Sequence, residues 1–178
     1  MVAFDEITVA APEPGPHDWN DDGVVILKNF MPEELMVAYE QCWMEENSER
    51  PGGWPFPTPY MGRPAVADLF TYGPLCTEME RLLGEPAGLH LCLTGWVTTA
   101  RNWHQDSYLN PPHVGDSYVA AWVALETVSK DSGPFQYIKG SHRWPQVTRE
   151  TIAPYVNLSD SSWPKHSEEV LTPVFEAE

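Results

Sequence analysis

The chain has 178 residues, 42% hydrophobic and 12% aromatic, with 26 acidic side chains against 10 Lys and Arg and a formal charge of -16. That length suits one domain with a substantial core, and the acidic balance argues against nucleic acid or an anionic membrane as partner, since both are bound through clustered cations. Three cysteines, Cys42, Cys76 and Cys92, are odd in number and lack a Cys-X-X-Cys pair, so neither a disulfide framework nor a cysteine zinc site is indicated, and a reducing cytoplasm fits best.

The opening Met-Val-Ala-Phe-Asp-Glu has neither the basic region nor the apolar stretch of a signal peptide, and no apolar run approaches membrane-spanning length. Eighteen prolines and 12 glycines among eight tryptophans predict a strand-and-turn fold with long ordered loops. Residues 1–17, with Pro12, Pro14 and Pro16, read as an extended lead-in, and residues 18–178 as one domain. Asp18-X-Asn20-X-Asp22-Gly23 begins like a calcium-binding loop, but Asn29 stands where the closing Glu should be, so calcium is not expected there.

Val24 to Leu27 reads as a short strand. Pro32, then Glu33 and Glu34 in a first turn and a stripe of Leu35, Tyr39, Cys42 and Trp43, predicts an amphipathic helix to about Asn47. Residues 51–64, rich in proline and aromatics, form a long loop that is either a lid or substrate wall or a packed surface loop. Within it, Arg63 either meets an acidic substrate group or forms a surface salt bridge. Pro74 to Leu83, with Gly84 as stop and Leu75, Met79 and Leu82 inward, predicts a second helix. Leu89 to Val97 reads as a strand leading into Asn102-Trp103-His104-Gln105-Asp106.

On a strand, successive side chains alternate faces, so His104 and Asp106 point the same way. They make two-thirds of a facial triad, the set of two histidines and one carboxylate that leaves iron with open positions. Ser117 to Glu126, centred on Trp122, then reads as a strand buried on both faces. Asp131-Ser132-Gly133-Pro134 follows as a turn, Phe135 to Ile138 as a short strand, and Lys139-Gly140-Ser141-His142-Arg143-Trp144 closes the pattern. Beyond residue 147 the signal weakens to a turn of helix, loops and a late strand at Val170 to Phe175. Strands with early flanking helices suggest a mainly β fold, a jelly roll or double-stranded β-helix of the cupin kind, with its carboxy-terminal strands missing.

His-X-Asp, a Trp-centred strand, a Gly-Pro turn and Gly-Ser-His-Arg, together with the opening Trp19 to Phe30, resemble the phytanoyl-CoA dioxygenase family of Fe(II)/2-oxoglutarate oxygenases from about residue 18 to residue 146. The resemblance implies that His104 and Asp106 are metal ligands, that Trp122 lies near 2-oxoglutarate, and that a small molecule is hydroxylated with O2 while 2-oxoglutarate is decarboxylated to succinate and CO2. Asp106 favours oxygenation over halogenation, because related halogenases replace the carboxylate with a small residue. The family's second histidine and its 2-oxoglutarate arginine are expected on later strands, beyond residue 178. His142 matches the Gly-Ser-His-Arg turn and not the distal ligand, and His166, read as part of a polar Pro-Lys-His-Ser loop, is little better placed; His113, in a loop after Pro111 and Pro112, reads as a surface residue or a substrate contact. The alternative function is a non-catalytic jelly-roll binding module, and a less favoured one a cupin-type enzyme using zinc or manganese. Neither substrate nor oligomeric state is legible.

Overall fold

A computed structural model of the chain describes residues 18–47, 53–93, 102–108, 110, 114 and 117–175. The proposed lead-in, residues 94–97 of the strand expected over 89–97, and His113 lie outside the described residues. The elements among those described are α1 (Trp19–Asp22), α2 (Glu33–Asn47), α3 (Pro64–Phe70), α4 (Gly73–Leu83), α5 (Arg149–Ile152) and α6 (Trp163–Phe175), with single 3-10 turns at Pro59–Met61, Asp106–Tyr108 and Ser141–Arg143. No strand is formed among the described residues; the segments 24–27, 117–126 and 135–138 run as irregular chain. The residues fall into two compact units, one within Met1–Thr99 and Val119–Gln136, the other within Ala100–Tyr118 and Tyr137–Glu178.

In the first unit, α1 begins where the Asp18 carboxylate accepts from the N–H groups of Asn20 (2.8 Å) and Asp21 (3.1 Å). The aspartate of the calcium-like sequence is therefore a helix cap, satisfying donors that a first turn leaves open. Helix α2 runs where the stripe predicts, with Met36, Tyr39 and Trp43 buried one turn apart and Leu35 and Cys42 packed at the margin. It lies against α3, which carries Val66 and Leu69 into the same core. Leu75 and Met79 bring α4 to it, and Gly84 ends that helix in the left-handed conformation at φ 75°.

Helix α3 is absent from the sequence reading because Pro64 suggests a loop end. Here the proline occupies the first helical turn, where its missing N–H costs nothing. The proline-rich loop before it is a packed element. Trp54 stands edge-on to Tyr39 and Trp43 and donates its indole N–H to the Tyr39 hydroxyl at 2.9 Å. Arg63 lies over the rings of Trp54 and Phe56, 5.2 and 5.0 Å from their centroids, and pairs with Glu46 of α2. The backbone N–H of Cys92 bonds to the Pro57 carbonyl at 2.8 Å, and the Tyr60 hydroxyl lies 3.2 and 3.0 Å from the carbonyls of Leu89 and His90.

In the second unit, Thr148 and Thr151 form a reciprocal capping box around α5, whose Ile152 is buried with the following Val156. The expected late strand over 170–175 is instead the end of α6. Leu171, half-buried, lies one helical turn after the buried Ser167 and Glu168 while Val170 is exposed, a period that six residues read alone do not reveal. Pro173 lies inside this helix, and Thr172 donates its hydroxyl to the Glu168 carbonyl at 2.7 Å.

Candidate metal centre

The Asn102–Asp106 run belongs to the second unit and forms no strand there. His104 sits in irregular chain, and Asp106 opens the 3-10 turn Asp106–Tyr108, extended by an N–H of Asn110 donated to the Asp106 carbonyl at 3.2 Å. A turn, then, and not strand alternation, brings the two side chains together. His104 Nε2 stands 3.2 Å from Asp106 Oδ1.

The other ring nitrogen fixes the tautomer. Nδ1 of His104 is 2.7 Å from the Asn102 carbonyl oxygen. A carbonyl can only accept, so Nδ1 carries a proton, and Nε2 is the nitrogen that faces the carboxylate. Two electron-rich atoms this close need a cation between them, either a proton or a metal ion. Two cis ligands with bonds of about 2.1–2.2 Å at right angles lie about 3 Å apart, so the observed spacing suits a shared metal. Second-sphere donation from Nδ1 to a backbone carbonyl is the usual support of a metal-binding imidazole. The His104 side chain is 24% exposed and that of Asp106 51%, so the pair is reachable from solvent.

Three features around the pair carry no signal in the sequence pattern. The Gln105 carboxamide donates to the Pro145 carbonyl (3.2 Å) and accepts from the Val147 N–H (2.8 Å). Burial, and then the Asp106 carboxylate, push the Tyr118 phenol above its usual range, so it keeps its proton at neutral pH. Ser107 Oγ and Asn110 Nδ2, on the same turn as Asp106, are buried without a hydrogen-bond partner. Sequence could not find these, since each depends on how the chain folds around the turn.

Trp122 is in the first unit, 54% exposed, stacked on Phe135 with centroids 6.2 Å apart and planes 28° from parallel. His142 lies exposed in the Ser141–Arg143 turn, as its place in the sequence predicts. His166 is on α6, not in a loop, with Nε2 3.5 Å from Ser162 Oγ. Among the described residues no group of three or more His, Cys, Asp and Glu gathers as a metal site, so the structure brings together His104 and Asp106 without a third such ligand. No described helix is long and apolar enough to cross a membrane.

Neither a curated protein nor a solved structure matches the chain. The sequence profile of phytanoyl-CoA dioxygenase matches residues 67–174, a span that holds His104, Asp106, Trp122 and the Gly-Ser-His-Arg run but not the opening segment 19–30. With more than half its length so matched, the chain belongs to the phytanoyl-CoA dioxygenase family, whose members are generally Fe(II)- and 2-oxoglutarate-dependent oxygenases.

Proposed function

We propose that this protein is an Fe(II)/2-oxoglutarate-dependent dioxygenase that hydroxylates a small organic molecule in the cytoplasm, on a double-stranded β-helix to which its strand-patterned segments belong. The observation that carries the reading is the convergence of His104 Nε2 and Asp106 Oδ1 at 3.2 Å, inside the family-matched span, with the imidazole tautomer set by the Asn102 carbonyl.

His104 and Asp106 would hold the iron, one through a neutral imidazole and the other through an ionised carboxylate. Fe(II) with 2-oxoglutarate and O2 supplies, when bound, the oxidative decarboxylation to succinate and CO2 coupled to substrate hydroxylation. The protein's own groups orient and shield. Asn102 keeps the His104 proton on Nδ1, away from the ligand side. Tyr118, its phenol neutral, adds no second anion beside Asp106. The unpartnered Ser107 Oγ and Asn110 Nδ2 are polar atoms to which a bound oxygen could be offered. Trp122, an exposed indole stacked on Phe135, is the residue whose place in the family pattern is next to 2-oxoglutarate.

The test is anaerobic addition of Fe(II) and 2-oxoglutarate, followed by visible absorption. The chelate's weak charge-transfer band is expected for the wild-type chain and lost in His104→Ala and Asp106→Ala. A band that survives both substitutions, or no band in a longer chain that includes the second histidine, refutes the reading and leaves a non-catalytic binding module.

A further inference from the structure

The residue between the two proposed ligands is tied by its side chain to the backbone of a distant segment. Gln105 Nε2 donates to the Pro145 carbonyl at 3.2 Å, and its Oε1 accepts from the Val147 N–H at 2.8 Å. Those two backbone groups flank Gln146. They are the C=O and N–H that one residue of an adjacent parallel strand would engage, one on each side of the residue opposite. Here a side-chain amide takes the place of that neighbouring peptide. Pro145 has no N–H of its own, so this segment cannot make a full ladder, and a carboxamide with one donor and one acceptor matches the two groups left.

Because Gln105 is held at its far end, the backbone on either side of it loses rotational freedom, and that backbone carries His104 and Asp106. We propose that Gln105 is a positioning residue for the metal pair, its carboxamide pinning the His104–Asp106 segment to residues 145–147. The proposal rests on the metal reading of His104 and Asp106. It ties the segment after the Ser141–Arg143 turn to the geometry of the centre, which gives that segment a role beyond connecting elements. Polar support of this kind commonly changes metal affinity by 10- to 100-fold.

The test uses the full chain and Co(II), read by its visible spectrum under titration. Gln105→Met keeps an unbranched side chain of similar length and removes both bonds. Val147→Pro leaves Gln105 in place and removes the N–H that it accepts. Co(II) affinity should fall about tenfold in Gln105→Met and by a smaller factor in Val147→Pro. The doubly substituted chain should bind no more weakly than Gln105→Met, because both changes break one connection. The thermal midpoint and far-UV circular dichroism of the metal-free protein should stay near wild type, which a merely structural role would not allow. If Gln105→Met fails to fold, Val147→Pro alone decides. Unchanged Co(II) affinity in the folded variants, or penalties that multiply in the double variant, overturns the proposal while the metal reading stands. Equal Co(II) binding by wild type and His104→Ala overturns the metal reading itself, and the role of Gln105 with it.

Discussion

Tyr39→Phe isolates one hydroxyl at the centre of the first unit. Tyr39 is 0% exposed, its ring edge-on to Trp54 and Phe70, and a phenylalanine keeps those ring contacts. What is lost is the acceptor for the Trp54 indole N–H, now 2.9 Å away. A neutral hydrogen bond contributes about 0.5–1.5 kcal/mol net, and a donor left without a partner in a part-buried site adds to the penalty, so the total is about 1–2 kcal/mol. With a urea slope of roughly 2 kcal/mol per M, the unfolding midpoint should drop by about 0.5–1 M with the slope unchanged. Trp54→Phe in the same background should show coupling of about 1 kcal/mol, since removing both polar partners relieves the orphaned donor. A midpoint for Tyr39→Phe indistinguishable from wild type would refute the claim that this bond organises the loop against α2.

Arg81→Ala should destabilise by about 1–3 kcal/mol in equilibrium unfolding, because the Glu78 carboxylate, only 6% exposed, loses both guanidinium donors at 2.8 and 2.7 Å. Replacing both partners with apolar residues should cost less than Arg81→Ala alone. Gly84→Ala should cost about 1 kcal/mol by the same measurement: there is nothing within 4 Å for the added Cβ to meet, and the penalty is the φ of 75° alone. At the start of α6, Asp160 is held below its ordinary 3.8 by the Ser162 side chain and then the Ser162 N–H. A depressed carboxyl pKa stabilises the fold above the unfolded value and loses that contribution as pH falls through the folded one. Ser162→Ala should therefore move the Asp160 carboxyl carbon titration in NMR upward, toward the unfolded value, and an unmoved curve would count against the assignment.

Helices α2 and α4 were legible because each has the full set of local signals. For α2 these are Pro32, acidic residues in the first turn and a buried stripe; for α4, an early proline and a stop at Gly84. Helix α3 was not, because its seven residues offer one turn of period behind Pro64, and its assignment depends on contact with α2. The end of α6 misled for a related reason: Val170 to Phe175 holds β-branched and aromatic residues, and the helical phase is set upstream at Ser167 and Glu168. For Arg63, the salt-bridge alternative matches the pairing with Glu46, while its stacking on Trp54 and Phe56 depends on how the loop folds back. At the centre, residue types told which atoms could hold a metal, but not that a turn would join them. Nor could sequence show that Asn102 and Gln105 would support the pair through backbone groups.

The loop from residue 53 to residue 63 has a thermodynamic consequence for the unfolded chain. Pro55, Pro57 and Pro59 each fix one backbone torsion before folding begins, so this stretch gives up less freedom on ordering than a glycine- or serine-rich loop of equal length. A segment with so few conformations to lose can be held by the few bonds that reach it from Tyr39, Leu89, His90 and Cys92. Exchanging the exposed Pro55 and Pro57 for alanine, with the buried Pro59 kept, would leave the core packing in place and still shift the balance toward the denatured ensemble, by widening it.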